Sequence, residues 1–250
     1  MQPQTDAKAE APMQINKQGP LERDSDLDLI ARRLPLENGR LLELGCGGAN
    51  VTRLIAERFP VAEIIATEVD RIQHEKNLQI TDLPKVTFKY GGAEFIDLPD
   101  ASVDAVIMLK SLHHVPAEVM DQGFAEIARV LKPGGLAYIS EPIYGGAFNE
   151  ILRLFNDEKA VREAAFAATQ RAVESGLLEL DEEIFFEAES RFAGWEGFEQ
   201  RIIGATHSEF DIDDALYARI KEAFMPHVAD GEAVFYMPIR VDLLRKPVAG

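Results

Sequence analysis

The sequence predicts a doubly wound α/β domain, and three observations carry that prediction. Between Arg40 and Pro142, short apolar runs of β type alternate with stretches of helical period, as a parallel sheet wound by crossover helices requires. Three of the runs are continuous rather than alternating, which is how strands covered on both faces read. Gly45, Gly47 and Gly48 cluster where the first run gives way to the first helical stretch, a place where such folds receive ligands.

The elements follow in order. Residues 1–20 are rich in Gln, Ala, Pro and Lys without an apolar period and are expected to be a flexible leader, with residues 21–250 forming a single domain. Leu27, Ile30, Ala31 and Leu34 recur at helical spacing until Pro35, Asn38 and Gly39 end the pattern. Strands are expected at residues 41–44, 63–67, 86–89, 103–109 and 136–140, and helices at 51–59, 72–78 and 117–131. After Pro142 the regime changes. Residues 149–176 read as a long, alanine-rich helix, followed by an acidic, aromatic segment holding Phe185, Phe186, Phe192 and Trp195. Residues 145–195 are therefore expected to form a helical lid insertion over the functional edge of the sheet. Residues 198–203 resume strand character, residues 211–224 read as a helix with Asp211 at its N-cap, and residues 234–244 close as a strand interrupted by Pro238.

Composition narrows the function. The 250 residues carry 26 Lys and Arg against 43 Asp and Glu, a formal charge of −17, and both halves are acidic. A nucleic acid partner is excluded, because phosphate binding needs a basic face, and an anionic membrane surface is disfavoured for the same reason. No window approaches 18 uninterrupted apolar residues, and the polar N-terminus lacks the apolar stretch of a signal peptide. A cytoplasmic protein is expected. The lone cysteine, Cys46, cannot form an internal disulfide or build a thiolate metal site.

The strongest local signal is Glu43-Leu44-Gly45-Cys46-Gly47-Gly48-Ala49-Asn50 at the first strand-to-helix turn. Glycines there let the backbone turn tightly and approach a ligand, while the following helix offers unpaired amides. A dinucleotide fingerprint wants a glycine where this chain has Asn50, which weakens a dehydrogenase reading. The spacing Glu43-x-Gly45-x-Gly47-x-Ala49 instead resembles the first motif of class I S-adenosylmethionine-dependent methyltransferases, with Ala49 in place of a third glycine. Four further stretches over residues 40–142 are similar to that family in the same order. Ile64-Ile65-Ala66-Thr67-Glu68 places an acid 23 residues after Gly45; the resemblance implies Glu68 as ribose ligand, with Asp70 as runner-up. Gly91-Gly92-Ala93-Glu94 resembles the adenine loop but carries Gly92 where the family usually has Asp, leaving the backbone of Ala93 and the side chain of Glu94 for adenine. Met108-Leu109-Lys110-Ser111-Leu112-His113-His114-Val115 resembles the segment whose backbone carbonyls face the methionine ammonium. Residues 125–135, Ala-Glu-Ile-Ala-Arg-Val-Leu-Lys-Pro-Gly-Gly, look like the family's structural turn into the fifth strand.

Membership would imply a Rossmann-like seven-stranded sheet with its last strand antiparallel, S-adenosyl-L-methionine as cofactor, and contacts from Glu43, Gly45, Cys46, Gly47, Glu68, Val69, Ala93, Glu94, Leu109 and Lys110. Cys46 reads as a small turn residue, and Glu43 either ties down the turn or faces the methionine amine. For catalysis, His113, His114 and His207 are the candidate bases, although the adjacent pair also suits a structural joint. Glu141, Tyr144 and Trp195 are candidate substrate contacts; Glu141 could equally pair with a cation. No metal site is expected, since close-spaced metal signatures are absent. The acids between Glu179 and Glu189 read as a solvated face, and most of the aromatic residues as the lid's own core. These features together predict methyl transfer to a small hydrophobic or aromatic acceptor, on oxygen or carbon, by a monomer or homodimer. The alternatives are a protein or peptide methyltransferase and a regulator that binds the cofactor without turning it over.

Overall fold

The computed structural model describes residues 12–204 and 210–248. Its centre is a sheet in which β2 (Arg40–Leu44), β3 (Glu63–Glu68), β4 (Val86–Tyr90), β5 (Val103–Leu109) and β6 (Leu131–Pro142) run parallel. Next to β6, the long strand β9 (Glu232–Arg245) runs antiparallel, and β7 (Glu179–Phe192) pairs antiparallel with β9. Two short strands join this sheet, β1 (Glu22–Arg23) along β7 and β8 (Val228–Ala229) along β9. The order is β1-β7-β9-β6-β5-β2-β3-β4. Because β2 pairs with β3 on one side and β5 on the other, the winding reverses at β2, which makes its carboxyl end the crevice where ligands bind in such sheets.

Alternation along these strands divides the core into two layers. Leu42, Leu44, Ile65, Val106, Met108 and Ile139 face α4 (Met120–Val130) and α6 (Lys159–Glu174). Leu41, Ile64, Ile107, Tyr138, Val241 and Leu243 face α1 (Asp26–Arg33) and α2 (Asn50–Arg58). The doubly wound α/β architecture is thus the one the sequence predicts, and the helix α3 (Arg71–Asn77) completes the β3 to β4 crossover. Ser25 starts α1 by accepting a hydrogen bond from the Asp28 amide at 3.1 Å, and Leu29, Ile30 and Leu34 form its buried stripe.

The chain departs from expectation after Pro142. The expected long helix over residues 149–176 is broken into α5 (Gly146–Leu152) and α6. Residues 179–192, expected within a helical lid, form β7 instead. Their acids masked a strand that has only the short β1 on its outer side; Glu182 meets Arg33 of α1, and Asp181 meets Arg245 at the end of β9. Residues 198–203, expected as a strand, end α7 (Gly194–Phe198) and make a π-helical turn, Glu199–Ile203. The apolar residues there serve a helix face, with Phe198 fully buried. The cap of α8 (Asp214–Phe224) is Asp213 rather than Asp211, its carboxylate accepting from the Leu216 amide at 2.8 Å. Elsewhere in the sheet, β6 begins earlier than expected, at Leu131, and β9 runs through Pro238. That proline's carbonyl accepts from the Ile143 amide at 2.9 Å.

Beyond the end of β6, the β7–β9 ribbon continues over the carboxyl edge of the sheet, where residues 187–192 pair with residues 233–238. Helices α5, α7 and α8 wrap this arm around a separate aromatic core of Phe192, Trp195, Phe198, Phe224 and Phe235. Where a helical insertion was expected, this arm is a ribbon with three helices, and α6 belongs to the central layers.

Candidate active site

The carboxyl end of β2 builds a turn whose backbone is fully organised. The Gly45 and Cys46 amides both donate to the Thr67 carbonyl, at 3.0 and 2.9 Å. Gly45 has φ +73, and a Cβ there would lie 2.8 Å from the Cβ of Ser111. Gly47 has φ +51, yet a Cβ there would meet nothing within 4 Å. One glycine is therefore required by packing; the other leaves open space beside half-buried backbone, as close approach of a ligand demands. Helix α2 follows from Ala49, which offers no capping side chain, so amides of its first turn stay unpaired by side chains.

Glu68 ends β3 and fastens this turn. Its Oε2 accepts from the Gly47 amide at 2.8 Å, and its Oε1 from the amides of Val69 and Asp70 at 2.7 and 2.8 Å. A carboxylate has about four acceptor positions, so capacity remains for one further donor. Asp70 is occupied as the N-cap of α3. Cys46 is buried, receives the Asn77 amide at 3.5 Å, and burial pushes its thiol up, which leaves it unreactive, in keeping with a small turn residue.

Glu43 lies beneath the turn, 2% exposed. Desolvation pushes its carboxyl from 4.5 up to about 7, with the Thr52 hydroxyl at 2.5 Å opposing the shift and the Glu68 charge adding to it. Since the folded value stands above the unfolded one, the stabilisation from the neutral carboxyl is complete below pH 4.5 and is lost as the pH rises through 7. The unliganded protein is expected to lose melting temperature between pH 5 and 8, and Glu43→Gln to flatten that slope in a thermal-shift series. A slope equal in both proteins would refute it.

Beside the turn is a cavity of about 280 Å³, with Leu44, Thr67, Val69, Gly92, Phe95 and Leu98 among its walls. Glu94 also lines it, and its carboxylate lies where a side chain at Gly92 would project. The Glu94 carboxylate thus occupies the space that a side chain at position 92 would take. Ala93 is buried, its methyl close-packed on Gly123. Val69 is 54% exposed at the cavity wall.

After β5, Leu109 leads into Lys110, held at φ +55, and then into a helical turn carrying the two histidines. His113 is buried, with Nδ1 2.5 Å from Glu141 Oε2, while Glu141 Oε1 accepts from the Leu112 amide at 2.9 Å. The other ring nitrogen of His113 faces Glu158 Oε2 at 3.9 Å. Both Glu141 oxygens are therefore engaged by the protein. His114 is exposed, its ring 4.1 Å from that of His113. His113, His114 and Glu158 bring one potential metal-ligand atom each within 4.8 Å of one another. Glu158 Oε2 also takes the Arg162 guanidinium at 2.5 Å.

The remaining sequence candidates are scattered. Tyr144 is half-buried and meets the Arg153 guanidinium. Trp195 packs inside the lid core, its indole N–H donating to the Tyr217 hydroxyl at 2.9 Å. His207 lies outside the described residues. Sequence reasoning missed Thr52, Glu158 and Asp26, the last of which accepts from the Lys110 ammonium at 2.7 Å. Partners 9, 45 and 84 residues apart leave no local signal to find them by. Among the described residues, no helix is long and apolar enough to cross a membrane.

Sheet order, a glycine turn at the point where the winding reverses, and an acid closing the next strand together define a doubly wound domain for a nucleoside-type cofactor. Residues 41–135 match the family described as a methyltransferase domain. The 27-O-demethylrifamycin SV methyltransferase of Amycolatopsis mediterranei is 36% identical over 113 residues, 43% of this chain and 40% of that protein. The sterol 24-C-methyltransferase of Yarrowia lipolytica is 31% identical over 126 residues, 48% of this chain and 32% of that protein. The matched stretch thus spans between a third and two-fifths of the length of these relatives. The crystal structure of the YcgJ protein from Bacillus subtilis shares the fold, with a TM-score of 0.59 at 18% identity over 89% of this chain and 98% of that one. Over residues 41–135 the chain is thus similar to methyltransferase domains, and its fold is one that such domains share.

Proposed function

We propose that the protein transfers the methyl group of S-adenosylmethionine to a small hydrophobic or aromatic acceptor, on oxygen or carbon. The observation that carries this reading is the open space over Gly47, bordered by the Glu68 carboxylate and the neighbouring cavity. That geometry fits the cofactor: Glu68 has acceptor capacity for a ribose hydroxyl, Glu94 and the backbone of Ala93 border the adenine place, and Val69 covers it. Glu43 and the backbone of Leu109 and Lys110 would receive the methionine ammonium. When bound, the cofactor supplies a methyl already activated by its sulfonium, so the protein has to align the acceptor and exclude water.

The acceptor side lies between the end of β5 and the lid. Support for a small organic molecule comes from the relatives named for 27-O-demethylrifamycin and for carbon 24 of a sterol, and from the half-buried Phe148 and Phe155 at the base of the lid. Of the two adjacent histidines, His114 is the exposed one, and it is assigned the proton of an acceptor hydroxyl, with His113 held beneath it by Glu141.

The reading is tested by calorimetry with S-adenosylhomocysteine, followed by methyl transfer from labelled S-adenosylmethionine to a panel of hydroxylated aromatic and aliphatic acceptors. Glu68→Ala is expected to weaken binding by about 1–3 kcal/mol, the cost of unpaired ribose hydroxyls, and to lower stability as well, because three backbone amides lose their acceptor. A wild-type protein that binds neither molecule would overturn the proposal, and unchanged affinity in Glu68→Ala would move the ribose elsewhere.

A further inference from the structure

Asp26 opens helix α1 in the sequence, yet it is only 8% exposed. It is not needed as the cap, since Ser25 serves that role. Its Oδ1 accepts from the hydroxyls of Tyr138 and Ser140 on β6, at 3.1 and 2.6 Å, and its Oδ2 from the Lys110 ammonium at 2.7 Å. The two hydroxyls alone would staple the helix to the sheet. The third bond reaches instead to a non-glycine residue in the left-handed region, φ +55, a conformation that persists only where surrounding structure imposes it.

What Lys110 holds is the wall of the cofactor turn. Its amide donates to the Ser140 carbonyl at 2.7 Å, which fixes the backbone direction out of β5. The next residue, Ser111, donates its hydroxyl to the Leu44 carbonyl at 3.0 Å, and its Cβ fills the place that any side chain at Gly45 would take. A continuous path therefore runs from the N-terminal helix through Lys110 and Ser111 to the glycine turn.

We propose that Asp26 is a positioning residue for the cofactor site. Its ion pair with Lys110 holds residue 110 in the left-handed conformation that seats Ser111 against Gly45 and turns the backbone at residues 109–111 toward the cleft. This rests on the cofactor reading above. The N-terminal helix is then part of the binding apparatus, although it lies outside the stretch matched by the methyltransferase family, residues 41–135.

Calorimetric titration of the full chain with S-adenosylhomocysteine separates this role from a structural one. Lys110→Met removes the tether and keeps a side chain that resists positive φ; affinity is expected to fall about tenfold. Lys110→Gly also removes the tether, but glycine adopts this φ freely, so its affinity should exceed that of Lys110→Met by severalfold. Asp26→Asn should weaken binding as Lys110→Met does, and adding Lys110→Gly to it should restore the affinity of Lys110→Gly alone. A staple without a positioning role lowers the melting temperature of Asp26→Asn and gives no such rescue. Equal affinities for Lys110→Met and Lys110→Gly would overturn the proposal, and that comparison stands even if Asp26→Asn does not fold. A wild-type protein that fails to bind S-adenosylhomocysteine would overturn the underlying cofactor reading, and the proposal with it.

Discussion

Gly47→Val is expected to abolish S-adenosylhomocysteine binding while the protein remains folded. At φ +51 a β-branched residue is strained, and the strain should cost about 1–3 kcal/mol of stability. Nothing stands within 4 Å of the new Cβ, so no packing term is added to that cost. The two γ-methyls would instead fill the space over the turn, where the cofactor has to approach the backbone. Calorimetry should show no binding heat, and thermal unfolding should stay cooperative with a moderately lowered midpoint. Normal binding in this variant would remove the turn from the cofactor site.

Gly45 provides the contrast, because substitution there acts through the fold. A methyl at position 45 would be 2.8 Å from Ser111 Cβ, closer than such atoms approach, at a φ of +73. Gly45→Ala should therefore depress stability more than Gly47→Val does, although it adds fewer atoms. The same motif holds one glycine for packing and one for a ligand, a distinction that only the surroundings of each reveal.

The central sheet was legible because β2, β3 and β5 are largely buried on both faces and mostly apolar, which leaves a signal in most of their residues. Val103–Leu109 illustrates this: its expected bounds and its observed ones coincide. The edge was not legible for the opposite reason. β7 has only the two-residue β1 on its outer side and carries Asp181 and Glu182, paired with Arg245 of β9 and Arg33 of α1, so composition points away from a strand. In β9, Arg240 and Asp242 are buried as a pair at 2.9 Å, the guanidinium lying 4.3 Å over the ring of Phe166, a burial that their charge does not signal. The candidate cofactor residues could be picked out by spacing because they sit at the ends of successive strands, and the structure brings Gly47 and Glu68 together. The departure at Gly92 found its explanation only in space, where Glu94 fills the gap. The proposed acceptor side could not be read this way, since the surroundings of the histidines depend on contacts such as His113 with Glu158 that cross the chain.

That crossing contact decides between the two histidines, and it makes His114→Ala the sharper test of catalysis. His113 Nδ1 is committed to Glu141, its other nitrogen faces Glu158, and the ring is 5% exposed. An acceptor hydroxyl approaching the cleft would therefore meet His114 first. A hydroxyl with a high pKa has to lose its proton as the new C–O bond forms, and removing the positioned base typically costs about 10²- to 10⁴-fold in rate. His114→Ala is expected to lower kcat by about that factor while S-adenosylhomocysteine affinity stays within about twofold. His113→Ala should behave differently. It strands the Glu141 carboxylate in the interior without its ring partner, so the melting temperature should fall along with the rate. Measuring kcat, cofactor affinity and unfolding midpoint in both variants separates the base from its support. If His114→Ala turns over like wild type with an oxygen acceptor, the exposed histidine is not the base; if only the His113 variant loses rate at unchanged stability, the buried ring must open to the acceptor.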